Sequence, residues 1–335
     1  MASNLILDPE LQLRAFERKL LRRFRTKTIF NRFGMQKKIE AGQGVAINFR
    51  RMEIIRPVAV ASSTWPADAV YTLAAGALLT EGTFHTPAVI ASWASITCTV
   101  SQYGQAAYLS DLAINQSLDD NVAEYVENFG EAMTELLDLR TRDVLLAATN
   151  IQYANGRASA SAVVSGDFLN LVELRKAKRT LKRSNAEPVE DGKFIVLGNQ
   201  DTGYDLEGDS NITNVWVTGG GLGKSGQYFE HTMKDLPLGF RYYESSIVPI
   251  SRASGYGDIY NTFVLGKEAY GTAKLSAMPN RVIKHLPGTS GVADPLDQVA
   301  TIGWKAAWGA VILNQNNLVL IRHQTSAFTG TRAGL

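Results

Sequence analysis

The stretch Val215-Trp216-Val217-Thr218-Gly219-Gly220-Gly221-Leu222-Gly223-Lys224-Ser225 comes nearest, of any in this sequence, to a chemical device. It approaches G-x-x-x-x-G-K-[ST], in which backbone N–H groups cradle phosphates, the lysine reaches the terminal one and the hydroxyl holds magnesium. Counting back from Gly223, however, the first required glycine falls on Thr218. The segment from Gly226 to Asp235 is too short before Pro237 to present a full helix N-terminus to an anion. No later apolar strand ends in an aspartate placed for magnesium, since Asp258 follows Gly257. A flexible glycine loop accounts for the run better than a nucleotide site does.

The remaining reactive residues form no constellation. His85, His231, His285 and His323 are scattered, and none has a carboxylate or second histidine at metal-ligand spacing. G-x-S-x-G is absent as a strand-to-helix elbow, because Ser225 lies in the glycine run. The acidic pairs Asp119-Asp120 and Glu190-Asp191 fit a helix start and a turn. Cys98 is the only cysteine, which excludes an internal disulfide and a multi-cysteine metal site. It sits in the strand-like run Ile96 to Val100 and reads as inert. No catalytic residue, cofactor site or metal site is assigned.

What the sequence does specify is a scaffold. From Ser117 to about Ala148, apolar residues fall at Val122, Tyr125, Val126, Phe129, Met133, Leu136, Leu137, Val144 and Leu145, the spacing of one helical face. Ser117 is the expected N-cap, with Asp119 and Asp120 in the favourable end of the dipole. Glu124, Glu127, Glu131, Glu135, Asp138 and Arg142 line the opposite face, so the helix is an amphipathic strut. A second helix is expected over Asp167 to Arg183, capped by Ser165 or Asp167 and ended by Asn185 and Pro188. Its inner stripe is Leu171, Leu174, Ala177 and Leu181, and six Lys and Arg residues lie outward.

Gly44 to Ile55 and Ile90 to Leu109 read as strands, with Gly104 as a bulge or kink. Between them Arg56 to Val89 is far longer than a hairpin loop, is rich in Ala, Thr, Ser and Gly, and holds few titratable groups. Such a segment fits an arm reaching another subunit better than a lid. Ile151 to Val164 reads as a turn or exposed loop around Asn155-Gly156. Further strands are expected at Lys193 to Leu197, Arg241 to Tyr243, Ile247 to Ile250 and Thr262 to Leu265. Asn314 to Asn317 reads as a hairpin turn between Ala306 to Val311 and Leu318 to Ile321, and Thr325 to Leu335 as a frayed tail.

With 335 residues, 45% hydrophobic and 20% charged, the chain can bury a sizeable core. A net charge of +2 is too small for a polyanion partner over the whole surface, so any nucleic-acid contact must be local. The local candidate is Leu11 to Phe33, where Arg14, Arg18, Arg22, Arg23 and Arg25 interleave with Leu13, Phe16, Leu20, Leu21 and Phe24. The N-terminus lacks the pattern of a signal peptide and no run has the length of a membrane span, so an intracellularly made protein without a membrane partner is expected.

Several phrases, taken in order, resemble the major capsid proteins of tailed bacteriophages, in particular the group of the coliphage N-four coat protein. They are Val100-Ser101-Gln102-Tyr103-Gly104 to Asp111, Thr141 to Leu145 with Asn150 to Ala154, and Lys178 to Lys182 with Ala186 and Pro188. Leu265 to Gly271, Ala293 to Gln298 and Ile302 to Ala306 complete the set, with Leu79-Thr80-Glu81-Gly82 in the long segment. The resemblance implies an α+β chain of the Hong Kong 97 capsid fold. Residues 1–43 become an N-terminal arm and 44–110 the strands flanking an extended loop at about 56–89. Residues 111–187 become a peripheral domain with spine helix 117–148 and second helix 167–183, 188–277 an axial domain, and 278–335 a return to the peripheral domain with a C-terminal tail.

Function would then follow from self-association. The resemblance implies hexamers and pentamers closing into an icosahedral head around double-stranded DNA, assembled in the host cytoplasm, with no enzymatic step and no small-molecule substrate. Leu79, Thr80, Glu81, Gly82 and Phe84 are the expected inter-subunit contacts, and Arg14, Arg18, Arg22, Arg23 and Arg25 the expected inner-surface cations. A separate scaffolding protein, a portal and a decoration protein are the expected partners. The competing readings are a P-loop nucleotide-binding enzyme using Lys224, and a monomeric basic nucleic-acid-binding protein using the N-terminal segment.

Overall fold

A computed structural model describes residues 28–52, 58–60, 71–73, 81–82, 93–116, 121–212, 233–236, 238–253, 257–289, 296 and 298–327. In chain order the strands and helices begin with β1 (Met35–Ile39), β2 (Ala46–Met52), β3 (Val58–Val60), β4 (Tyr71–Leu73), β5 (Trp93–Thr99) and β6 (Ser101–Ser110). α1 (Asp111–Gln116), α2 (Asn121–Leu146), β7 (Ile151–Tyr153) and α3 (Leu171–Arg183) follow. β8 (Phe194–Gly198), α4 (Gln200–Gly208), β9 (Met233–Leu236), β10 (Phe240–Glu244), β11 (Ile250–Ala253) and β12 (Gly257–Leu265) come next. The series ends with β13 (Tyr270–Leu275), β14 (Arg281–His285), β15 (Val299–Ile312) and β16 (Leu318–His323).

Two sheets carry the fold. The seven-stranded sheet has the order β7-β16-β12-β8-β10-β9, with β11 also on β12. Every residue of β8 is buried, because both of its faces are covered. Phe194 and Val196 pack with Leu171, Leu174, Ala177 and Leu181 of α3 and Leu206 of α4. Ile195 and Leu197 pack on the other face with Leu145 from the end of α2, Phe263, Leu320 and the N-terminal pair Ile29 and Phe30.

The five-stranded sheet is built around β15, which pairs with β13, β14 and β6, while β1 adds to β13 in parallel. One face packs on α2, where Trp304, Ala306 and Trp308 meet Leu137, Phe129 and Met133. Part of the other face is covered by the β2–β5 ladder, through Phe49 and Cys98 against Ala273 and Ala307. That approach needs Gly309, since a Cβ there would lie 2.5 Å from the Thr99 carbonyl oxygen.

Several expectations change in the structure. The long helix is α2, 26 residues from Asn121, preceded by the separate α1. Ser117, Asp119 and Asp120 lie outside the described residues. α3 is capped by Asn170, whose side chain accepts from the Glu173 N–H at 3.0 Å. Asp167 is instead buried and bound by Arg157 Nε at 2.8 Å and the Val164 N–H at 2.9 Å, which pins the preceding loop.

Gly104 makes no bulge: β6 pairs with β15 in unbroken register from Ser101↔Trp308 to Ser110↔Val299. Another change concerns Asn314 to Asn317, which does not close a hairpin. β15 lies in one sheet and β16 in the other, so this turn hands the chain between them. Its carrier bonds are Leu313 N–H to Ala269 O at 2.9 Å and Gly266 N–H to Asn317 O at 2.7 Å. β13 likewise joins the sheet of β15, and β16 that of β8 and β12, so sheet membership does not follow the sequence blocks 188–277 and 278–335. The start of the C-terminal tail is tied down as well, with the Ser326 N–H on Asp205 Oδ1 at 3.0 Å.

Candidate assembly surfaces

The N-terminal segment enters the body through a carboxylate. Asp138 of α2 is fully buried, and it accepts from the Ile29 N–H at 2.9 Å and the Asn31 N–H at 2.8 Å. Burial pushes its pKa up, against the opposing effect of the backbone N–H groups of residues 29–31 and of Arg142. Thr141, one turn on, binds the Asn31 side chain at 2.5 Å and receives the Trp308 indole N–H at 3.1 Å. Phe30 sits edge-on to Phe263, with ring centroids 5.5 Å apart, and its carbonyl accepts from the Tyr270 hydroxyl. Arg32 lies over the Phe33 and Tyr243 rings and reaches Glu190 at 3.4 Å. Residues 29–33 are thereby the fixed root of whatever precedes them.

This anchor was missed by helical periodicity, which put Asp138 on the solvent face. A signal was present: Asp138, Thr141 and Leu145 recur at i, i+3 and i+7, and the stripe ends in a core leucine. Arg14, Arg18, Arg22, Arg23 and Arg25, by contrast, lie outside the described residues.

The long segment is flanked by the β2–β5 ladder, with the register Ala46↔Thr99 to Met52↔Trp93. Along it Phe49 and Cys98 face the core, while Trp93 at the far end is 66% exposed. β3 and β4 form a smaller antiparallel pair within the segment, Val58↔Leu73 to Val60↔Tyr71. Of the expected contact residues, Glu81 and Gly82 form an exposed turn with Gly82 at φ +77, and Leu79, Thr80 and Phe84 lie outside the described residues.

Among the described residues the sequence's chemical candidates gather no site. Residues 213–232, with the glycine run and Lys224, are outside the described residues, as are His85 and His231. His323 is buried between the Thr262 hydroxyl at 2.9 Å and the Gln324 carbonyl at 2.7 Å, and burial pushes its pKa down to about 4. His285 is exposed on β14. Glu190 and Asp191 bind Arg241, which also reaches Asp235 at 2.9 Å, a surface network around the turn before β8. Among the described residues no group of His, Cys, Asp and Glu is placed to hold a metal, and no helix is long and apolar enough to cross a membrane.

A family profile described as phage capsid protein matches residues 93–314, which run from β5 through β15. The chain belongs to the phage capsid protein family. No curated protein sequence matches it. The capsid protein's fold is shared with the capsid structure of cyanophage P-SCSP1u, at 17% identity and TM-score 0.65 over 95% of this chain and 94% of that one. It is shared too with the capsid asymmetric unit of cyanophage Pam1, at 11% identity and TM-score 0.69 over 98% and 100% of the two chains. The capsid of Ralstonia phage GP4 matches at 10% identity and TM-score 0.68 over 97% and 98%. The fold is thus α+β and Hong Kong 97-like, and family and fold together support a major capsid protein of a tailed phage. They point to a structural protein rather than an enzyme.

Proposed function

We propose that this capsid protein builds the head shell by self-assembly into hexamers and pentamers, which enclose a double-stranded DNA genome without performing a reaction. The observation that carries the reading is the family match over residues 93–314, which spans strands of both sheets and the long helix between them. Rings of five and six require heterologous contacts that close, and projecting segments let each subunit grip several neighbours. The residues before Ile29 then act as an arm rooted at Asp138, rather than the whole of 1–43, since β1 belongs to the five-stranded sheet, and about 56–89 act as a loop laid on a neighbour through Leu79, Thr80, Glu81, Gly82 and Phe84. Arg14, Arg18, Arg22, Arg23 and Arg25 face inward and offset the charge of the packaged DNA without reading its sequence. Assembly takes place in the host cytoplasm with a separate scaffolding protein, a portal and a decoration protein as partners.

Electron microscopy of the purified chain tests this directly: polyhedral shells or five- and six-membered rings are expected. A monomer stabilised by ATP through Lys224, or one that binds DNA with steep salt dependence, would replace it with one of the two rival readings. For the arm, Arg18, Arg22 and Arg23 changed together to Glu should impair assembly or DNA retention. Normal values of both would remove the inward arm while leaving the shell.

A further inference from the structure

The edge of β6 that faces away from β15 has no partner strand among the described residues. Its geometry follows from one bond. The Asp111 N–H donates to the Gln298 carbonyl at 2.9 Å, one step beyond the Ser110↔Val299 pair. In an antiparallel ladder alternate residues aim both backbone groups at the partner. The odd-numbered residues of β6 therefore face β15, and Gln102, Gly104, Ala106 and Tyr108 aim their N–H and C=O groups outward. The same outer side is in use just before, where the Val100 N–H donates to the Val45 carbonyl at 2.8 Å. There the chain leaves the edge, turning through Gly44 at φ +85 toward β1.

Strand edges are normally blunted by lysine, proline, a bulge or a covering element. From Ser101 to Ser110 the sequence is SQYGQAAYLS, with no charge and no proline, and the register shows no bulge. On one face of the strand Gln102, Gly104, Ala106 and Tyr108 are all exposed. Tyr108 is 75% exposed.

We propose that this edge pairs antiparallel with the same edge of a second copy about a two-fold axis. The proposal rests on the shell reading and deepens it by naming one contact. Like faces like across such an axis, so a charged residue near it would meet its own kind; β6 has none. With the axis at Gln105, Gln102 opposes Tyr108 of the second copy and Gly104 opposes Ala106, giving about eight main-chain hydrogen bonds. Each Tyr108 then lies diagonal to a Gly104, whose missing side chain leaves room for the ring. A two-fold contact closes after two subunits, so it joins rings to one another rather than making them.

The test is a cysteine at the axis. In this register the two Gln105 positions face each other as a non-hydrogen-bonded pair with Cα atoms about 4.5 Å apart, within disulfide reach. Under mild oxidation Gln105→Cys should run mostly as a disulfide dimer on a non-reducing gel. Ser101→Cys, which would face Leu109 of the second copy, should stay monomeric. Equal yields from the two variants, or none from Gln105→Cys in assembled shells, overturn the pairing and leave the shell reading standing. Dimers from Gln105→Cys without shells support the pairing and overturn the shell reading; neither shells nor dimers overturn both. Ala106→Pro removes one outward N–H and should stop assembly at free rings with an unchanged melting temperature. Normal shells from it would also overturn the pairing, and if it fails to fold the cysteine pair still decides.

Discussion

In the seven-stranded sheet, β8 and β12 are buried along nearly their whole length between α3 and α4 on one face and α2, Phe30 and Tyr270 on the other. In the five-stranded sheet, β6 and β14 have α2 on one side of their sheet and residues such as Gln102, Gly104, Ala106 and Tyr108 exposed on the other. The same chain thus builds one core that is complete by itself and one that is half covered. Burial of apolar area is the main stabilising effect available to either sheet, so the first sheet holds the monomer together. The second leaves Gln102, Gly104, Ala106 and Tyr108 exposed.

The sharpest way to break this contrast is to damage the closed core. Phe263→Ala, which opens a cavity beside Phe30, should cost about 3–5 kcal/mol in urea unfolding. A loss near that expected for an exposed residue would mean the closed sheet is not the source of stability. Asp138→Ala tests the junction between the sheets, because it leaves the Ile29 and Asn31 N–H groups without their acceptor. A loss of about 2–3 kcal/mol is expected, together with protease cleavage near residue 30 that the parent resists.

Acid titration probes the same core from inside. His323 is neutral in the fold at a pKa of about 4, against 6.5 when unperturbed, because burial disfavours its charged form. The unfolded chain therefore binds a proton that the folded one refuses, and stability should fall as pH drops from about 6.5 to about 4, by up to ~3 kcal/mol. Asp138 acts in the opposite sense, since its raised pKa favours the fold on acidification. The Asp205 and Glu173 charges near His323 moderate the shift without reversing it. His323→Asn should flatten the slope in that window, and an unchanged slope would assign it to other groups. The smallest effect belongs to the open sheet: Tyr108→Ala should alter monomer stability by no more than about 0.5 kcal/mol, measured by denaturation of the dissociated chain.

Periodicity alone located α2 to within a few residues and named the buried stripe Leu171, Leu174, Ala177 and Leu181 of α3. It also identified the apolar run that becomes β8. These are local properties: which face of an element is apolar, and where a turn must fall, are set by residues a few positions apart. Family phrases placed those elements in a capsid fold that composition could not have named. Beyond the β2–β5 ladder, what the sequence concealed was the pairing at long range.

Asn314 to Asn317 has the composition of a hairpin turn whether it closes a hairpin or changes sheets, because a turn constrains only the four residues within it. Asp138 is polar like its solvent-facing neighbours, and only the arrival of Ile29 and Asn31 from over a hundred residues away makes it a buried anchor. Gly104 could have marked a bulge or a close approach, and the unbroken ladder with β15 decided for the second. The sequence by itself determined the chain's elements and their apolar faces, because those depend on near neighbours. Only the tertiary structure decided which strand edge stays unpaired among the described residues and which carboxylate is buried, because that depends on what the rest of the chain has already covered.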